Sequence, residues 1–427
     1  MLIKNAFFEF GSFFQRHKQL VVLLVIFIAH IFFRFYLLEE RLQFGWDQVD
    51  FAWAAKSIIV DHELPLLGMV AKGNSGIYMG PAYYYLTSLF YWVFDLNPIA
   101  SGIFAGVTSI FTFFVLFLVA KKLFSYNIAL IAVGIHTISS FLISSDRIQW
   151  SVNLIAPISF LVFFALYNVL LGKVRYLLLL AAVVGFSFHI HFTSIFYPII
   201  ILLALPFFPR KKQTIKYILL SLPVFLIFLI PNIIAEVSSK NAHTNNLFEY
   251  VNTYYHGFHV ARVLQLTNDA FVEFQLILKG WFRNLNYLFL FVFYIIYFLL
   301  KPSRNKFIMC YLVSLWFIVP WFVFSTYKGE ISNYYFFSTR PIAILILAYL
   351  TYKIFCINNF IVKSVIVIFW VYFSYVNVVQ FFIPESGKLE AYRNNAKSAI
   401  EKGEIIKPYR YTPESYLYYY YTRKDKI

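Results

Sequence analysis

The chain has 427 residues, of which 61% are hydrophobic and only 13% charged, with a formal net charge of +16. Soluble domains carry roughly 45–50% apolar residues, so this composition excludes a water-soluble globule. Its apolar runs reach about 20 residues, the length an α-helix needs to cross a bilayer, and lack strand-like alternation, which makes a β-barrel a poor alternative.

Taken in order, the runs predict about eleven transmembrane helices: Leu20–Leu38, Ile99–Ala120, Tyr126–Ser144, Leu154–Leu171, Tyr176–Ile190, Phe192–Phe208, Tyr217–Ala235, Asn286–Leu300, Phe307–Ser325, Tyr335–Phe355 and Ile361–Gln380. Prolines 157, 223, 231, 320 and 341 fall within them, where membranes tolerate kinks. The first run is too long for a cleavable signal and no small-residue cleavage site follows it.

Basic residues cluster between the runs: Lys4, Arg16 and Lys18 in the leader, then Lys121-Lys122, Lys173 with Arg175, Arg210-Lys211-Lys212 with Lys216, and Lys301, Arg304 and Lys306. These clusters report topology and anionic headgroups rather than nucleic acid. They share one face only if Tyr83–Phe94 lies along the interface instead of crossing, so the positive-inside rule predicts a cytoplasmic N-terminus in the cell membrane. The transmembrane domain then covers 1–380, with a first outer loop at 39–98 and a central outer loop at 236–283. An outer tail follows at 381–427, in which Tyr416–Tyr421 forms a short strand or a surface helix. No internal repeat and no second soluble domain is evident.

The first outer loop is the densest in candidate chemistry, because ionisable groups near a membrane must be paired or face water. Asp47 lies just past the first span, flanked by Trp46 and Phe51. Partial desolvation would raise its proton affinity toward that of a general base; alternatively it caps a helix over Gln48–Val60. Asp50 at i+3 would share its helix face. "SSDRIQWSVN" (Ser144–Asn153) places Asp146 and Arg147 at the outer end of the third helix, and "GFSFHIHFTS" (Gly185–Ser194) places His189 and His191 at an outer turn. Either histidine could bind a phosphate or Asp, or bond structurally. An i, i+2 pair cannot ligate one ion on a continuous helix, although a break there leaves a divalent metal open. Tyr83-Tyr84-Tyr85 and Tyr334-Tyr335 either stack on sugar rings or belong to the interfacial aromatic belt. Asp146 and Glu330 are outer-face carboxylates that could steer an acceptor, although Glu330 reads rather as a solvated loop charge, and His243, His256 and His259 read as surface groups. The only cysteines, Cys310 and Cys356, give no disulfide framework or thiolate metal site.

A short leader, one helix, then an outer loop with "WDQ" (Trp46–Gln48), Asp50 and "GPAYYYL" (Gly80–Leu86) resembles the GT-C glycosyltransferases. Within them it is most similar to the protein O-mannosyltransferase and lipid A aminoarabinose transferase group. The resemblance implies an all-α, polytopic, GT-C-like bundle with outer juxtamembrane helices. It further implies sugar transfer from a polyprenyl-phosphate donor to a glycolipid, glycan or protein acceptor on the outer face, with inversion. Asp47 matches the family's catalytic carboxylate. Donor and substrate contacts would come from Gln48, Asp50, Lys72, Tyr83, Asp146, Arg147, His189, His191, Lys328, Tyr334 and Arg340, with Arg147 and Lys72 the first choices among the cations. No metal ligand set and no cofactor is expected. The sequence departs from the aminoarabinose transferases in carrying Met79-Gly80 before Pro81 where they have a Lys-Pro pair, and in a tail shorter than the folded outer domain of many relatives. Two other classes remain open: a lipid-linked sugar transporter or flippase, which would need mid-membrane charges and broken helices, and a glycan polymerase or ligase, which usually relies on a large, arginine-bearing outer loop.

Overall fold

The computed structural model describes residues 2–72, 75–283, 285–299, 301–383 and 387–424, with side chains from His17 to Arg423. Gly73, Asn74, Leu300 and the side chains of Lys4 and Arg16 lie outside the described residues. All regular structure among those described is helical apart from two single β-bridges, Val70 with Tyr78 and Tyr255 with Tyr327.

Twenty α-helices follow in chain order: α1 Leu2–Phe35, α2 Trp46–Ile59, α3 Ala82–Val93, α4 Ile99–Leu123, α5 Tyr126–Ile138, α6 Ser140–Asp146, α7 Ile155–Leu170, α8 Tyr176–Ser187, α9 Phe196–Ala204, α10 Lys212–Ser238, α11 Ala242–Tyr254, α12 Val260–Gln265, α13 Thr267–Ala270, α14 Val272–Ile277, α15 Asn286–Tyr294, α16 Arg304–Ser325, α17 Arg340–Phe355, α18 Phe360–Phe382, α19 Leu389–Glu401 and α20 Pro413–Lys424. Seven helical segments among them are long and apolar enough to cross a membrane, or eight if the bent pair α5–α6 is one span. Three shorter apolar segments, Tyr176–Ser187, Phe192–Phe207 and Asn286–Leu299, occupy the remaining places in the sequence-based list. The chain is a multi-pass membrane protein.

Burial sorts the spans. Ser151–Leu170 and Asn333–Phe355 are each 89% buried and form the centre, whereas Lys212–Ser238 is 6% buried and faces outward. At the centre the Trp316 indole donates to Ser159 Oγ (2.8 Å), which donates to the Ser338 carbonyl (2.6 Å). A buried indole and hydroxyl thereby satisfy each other where no water reaches.

The basic loops gather at one end of the bundle. Gln19 of α1 hydrogen-bonds Asn127 (3.2 Å), Lys121 sits 5.1 Å from the Tyr126 ring centroid, and Phe207 meets Phe307 across the next pair of loops. The helix α3 has 12 residues, about 18 Å of rise, too short for a 30 Å hydrocarbon layer. It starts and ends at the opposite end of the bundle, consistent with a segment that does not cross.

That opposite end holds α2, α3, α11–α14 and the tail. Tail residues 416–421 are helical, within α20, not a strand. Tyr416 is fully buried against Phe44, Trp53 and Tyr91, and its hydroxyl donates to the Leu96 carbonyl (2.8 Å). The α20 helix is thus a packed component of the first loop's core.

Candidate active site

The loop after α1 turns into α2 at Gly45. The Gly45 backbone N–H donates to Gln48 Oε1 (2.9 Å), closing the helix start. The N-cap is therefore Gly45, which corrects the alternative in which Asp47 caps a helix beginning at Gln48; Asp47 lies inside the first turn. Gln48 also donates through Nε2 to the Gln149 carbonyl (2.6 Å), fastening α2 to the segment after α6.

Asp47 is partly buried, and its carboxyl is pushed up to about 6, first by desolvation and then by the Asp50 charge, with a hydrogen bond from Trp150 opposing. A carboxylate of that basicity is ionised at neutral pH and accepts a proton far more readily than an exposed aspartate. Trp150 packs against Tyr334 at 4.7 Å, Tyr334 lies 5.7 Å from His191, and Tyr83 is held by Phe51 at 4.6 Å. Burial and then the Asp47 charge push the Tyr83 phenol well above its usual range, so it stays a neutral hydroxyl. Trp150 thus joins Asp47 to Tyr334 and, through that ring, to His191, while Tyr83 lies close enough for the Asp47 charge to act on it. Beside them the amide of Gln149, fully buried, has neither its oxygen nor its nitrogen bonded.

One turn along α2, Asp50 is fully buried and paired with Arg410 of the tail. Tyr84 donates to its second oxygen (2.6 Å), and Arg410 Nη2 donates to the Tyr84 hydroxyl (2.5 Å). Arg410 escaped the sequence reading, since no spacing connects positions 360 residues apart. Trp46 stacks on Tyr411 at 5.0 Å, which fixes the tail over the start of α2.

The remaining candidates are engaged elsewhere. Asp146 is bound by Arg34 (2.8 Å), His136 (3.0 Å) and Ser109 (2.7 Å) inside the bundle, not turned toward an acceptor. Arg147 donates to the carbonyls of Phe33, Arg34 and Leu37, closing the end of α1. Arg340 pairs with Glu273 (2.7 Å) and lies on the Phe337 ring. Lys72 donates to the Tyr327 hydroxyl (2.7 Å), which also bonds Tyr250, and Lys328 is exposed with its backbone tied to Tyr254. His189 accepts the Ala82 N–H at Nδ1 (3.2 Å) and donates from Nε2 to the Phe228 carbonyl (2.6 Å), a structural latch between α3 and α10. His191 accepts the Thr193 N–H, and burial pushes it down to about 3. Among the described residues no group of three or more metal-ligating side chains gathers.

Three clefts surround α2. The first, about 360 Å³, is lined by Gly45, Gln48, Arg147 and Lys388 among others. A second, about 610 Å³, is lined by Ser57, Glu63, Tyr78, Tyr84 and Arg410 among others. The third, about 590 Å³, is an apolar groove that includes Ile58, Ala82, Tyr85, Leu86 and Phe228. Asp47 lines none of the three; its neighbours on α2 do.

This bundle, with a short helix pair laid over one end, is the GT-C fold. Residues 79–234 match the family model described as dolichyl-phosphate-mannose-protein mannosyltransferase. Crystallised ArnT from Cupriavidus metallidurans bound to undecaprenyl phosphate has the same fold at a TM-score of 0.55 and 12% identity, covering 94% of this chain and 74% of that one. The oligosaccharyltransferase AglB from Archaeoglobus fulgidus, in complex with an inhibitory peptide and a dolichol-phosphate, matches at 0.57 and 12% identity, over 94% of this chain and 61% of its own length. Among curated proteins none matches the sequence. The chain resembles the GT-C glycosyltransferases, and within them the protein O-mannosyltransferase and ArnT group.

Proposed function

We propose that the protein is a membrane glycosyltransferase that moves a sugar from a polyprenyl phosphate to an acceptor on the outer face of the cell membrane. The family match and the shared fold support the class, and the structural relatives carry undecaprenyl phosphate or dolichol-phosphate. The basic loops at one end, read by the positive-inside rule, support a cytoplasmic N-terminus and an outward-facing site.

The single observation that carries the reading is Asp47, a half-desolvated carboxyl at about 6, one residue into an interfacial helix and bordered by Tyr83 and Trp150. Its carboxylate takes the proton from the acceptor hydroxyl or amine as that atom attacks the anomeric carbon. The C1–O bond to phosphate breaks, the electron pair leaves with the polyprenyl phosphate, and the configuration inverts. The phosphate departs as a stable anion, so the leaving group needs cations and hydrogen-bond donors rather than a general acid.

The reading is tested by incubating the purified protein with labelled polyprenyl-phosphate sugars and a membrane-extract acceptor. Equimolar release of polyprenyl phosphate and a glycosylated product of inverted anomeric configuration is expected. Movement of the intact donor across proteoliposomes without product would instead establish a flippase.

A further inference from the structure

We propose that Arg410, carried on the tail, is the cation that receives the donor phosphate, and that the polyprenyl chain runs from it into the apolar groove beside α3. The assignment rests on the glycosyltransferase reading and supplies the phosphate-binding group that reading requires.

Three of the four cations expected from sequence to do this work have protein partners, Lys72 at Tyr327, Arg147 on the end of α1 and Arg340 on Glu273, and the fourth, Lys328, is an exposed side chain that lines none of the three clefts around α2. Arg410 differs. Its partner Asp50 is fully buried, yet the guanidinium side chain keeps 48% of its exposure. Nε faces Asp50 and Nη2 faces Tyr84, leaving Nη1 of a five-donor fork unassigned among the described residues. Asp50 and Tyr84 hold the fork in place, so binding a phosphate orders no new side chain. Asp50 follows Asp47 by three residues on α2, so the carboxylate that anchors Arg410 stands one helical turn from the base.

The two clefts beside it match a lipid phosphate in order. Ser57, Glu63, Tyr84 and Arg410 line the cleft of mixed polarity, while the next residues, Ile58 and Tyr85, line the apolar groove with Leu86, Ala82 and Phe228. One ligand could therefore place its head against Arg410 and its hydrocarbon in the groove. On transfer the phosphate passes from diester to monoester and gains a negative charge. A fixed guanidinium there favours the transition state over the bound donor.

The test uses the full chain in detergent, with a short polyprenyl phosphate as probe and the matching polyprenol as control. Arg410→Met should weaken phosphate binding at least tenfold and leave polyprenol binding unchanged, with Arg410→Lys between the two. Because Arg410→Met strands the Asp50 carboxylate, the double variant Asp50→Asn/Arg410→Met is measured as well and should show the same loss. A double variant that binds the phosphate like wild type would overturn the assignment, reducing Arg410 to a counter-ion for Asp50 and leaving the glycosyltransferase reading intact. Wild-type protein that fails to distinguish the phosphate from the polyprenol would remove the reading itself.

Discussion

Arg34 of the first span and Asp146 at the end of the bent span are joined at 2.8 Å, with the Arg34 side chain fully buried. The bend explains the pairing. At Ser139 the chain leaves helical geometry and α5 and α6 meet at 72°. The break leaves the carbonyls of His136 and Thr137 to be taken by Arg34 (2.7 and 2.9 Å), and the freed Ser140 N–H goes to Asn377 Oδ1 (2.8 Å). Non-helical backbone within a membrane persists only where protein groups satisfy it, as here.

Removing one partner of this pair strands a buried charge. Arg34→Met or Asp146→Asn should cost about 3–5 kcal/mol of stability, read as a large drop in melting temperature in detergent. The double variant should recover part of the loss. An unchanged melting temperature in both single variants would show that the pair contributes nothing.

The titration of Asp47 sets a pH dependence. A base must be ionised, so kcat/KM should rise with pH and level off above about 6. Asp50 raises that midpoint through its charge, so Asp50→Asn should move the rising limb to lower pH. A limb that stays put in that variant would dissociate the titration from Asp47.

His189 acts as an acceptor only while neutral, and burial lowers its proton affinity in the folded state. The unfolded chain therefore binds the proton more readily. The latch is fully present above the ordinary histidine value of about 6.5 and is lost as pH falls below it. Thermal melts of wild type should decline through that window more steeply than those of His189→Gln. Parallel curves for the two would rule the latch out.

The tail should fail as a unit. Tyr416→Ala removes a fully buried ring and one hydrogen bond, at about 3–5 kcal/mol for an aromatic truncation. Limited proteolysis should then cut near Pro408 while the transmembrane domain stays resistant. Equal resistance in wild type and variant would show that α20 is not anchored there.

Much of this architecture was legible because a membrane helix announces itself by composition. The apolar runs from Leu20 to Gln380 coincide with observed helices to within a few residues, and α3, which the Lys-rich loops lead one to expect along the interface, is too short to span. The acid in "WDQ" was also visible, since its aromatic flanks and place after the first span are local. The electrostatic partners were not. Arg34 lies inside the first apolar run and drew no notice there, and nothing local names Asp146 as its mate. Arg410 and Asp50 meet only because α19 and α20 fold back onto α2. The break at Ser139 carries neither proline nor glycine, so the bent span read as one continuous helix. His189 and His191 drew attention as a pair, and the chain separates their tasks by turning between α8 and α9.

The central claim is that Asp47 is the base. It is tested most directly by single-turnover transfer from a labelled polyprenyl-phosphate sugar, comparing wild type with Asp47→Asn in protein of matched melting temperature. The account predicts a fall of about 10²–10⁴-fold in the transfer rate with donor binding retained. Transfer by Asp47→Asn at the wild-type rate would contradict it.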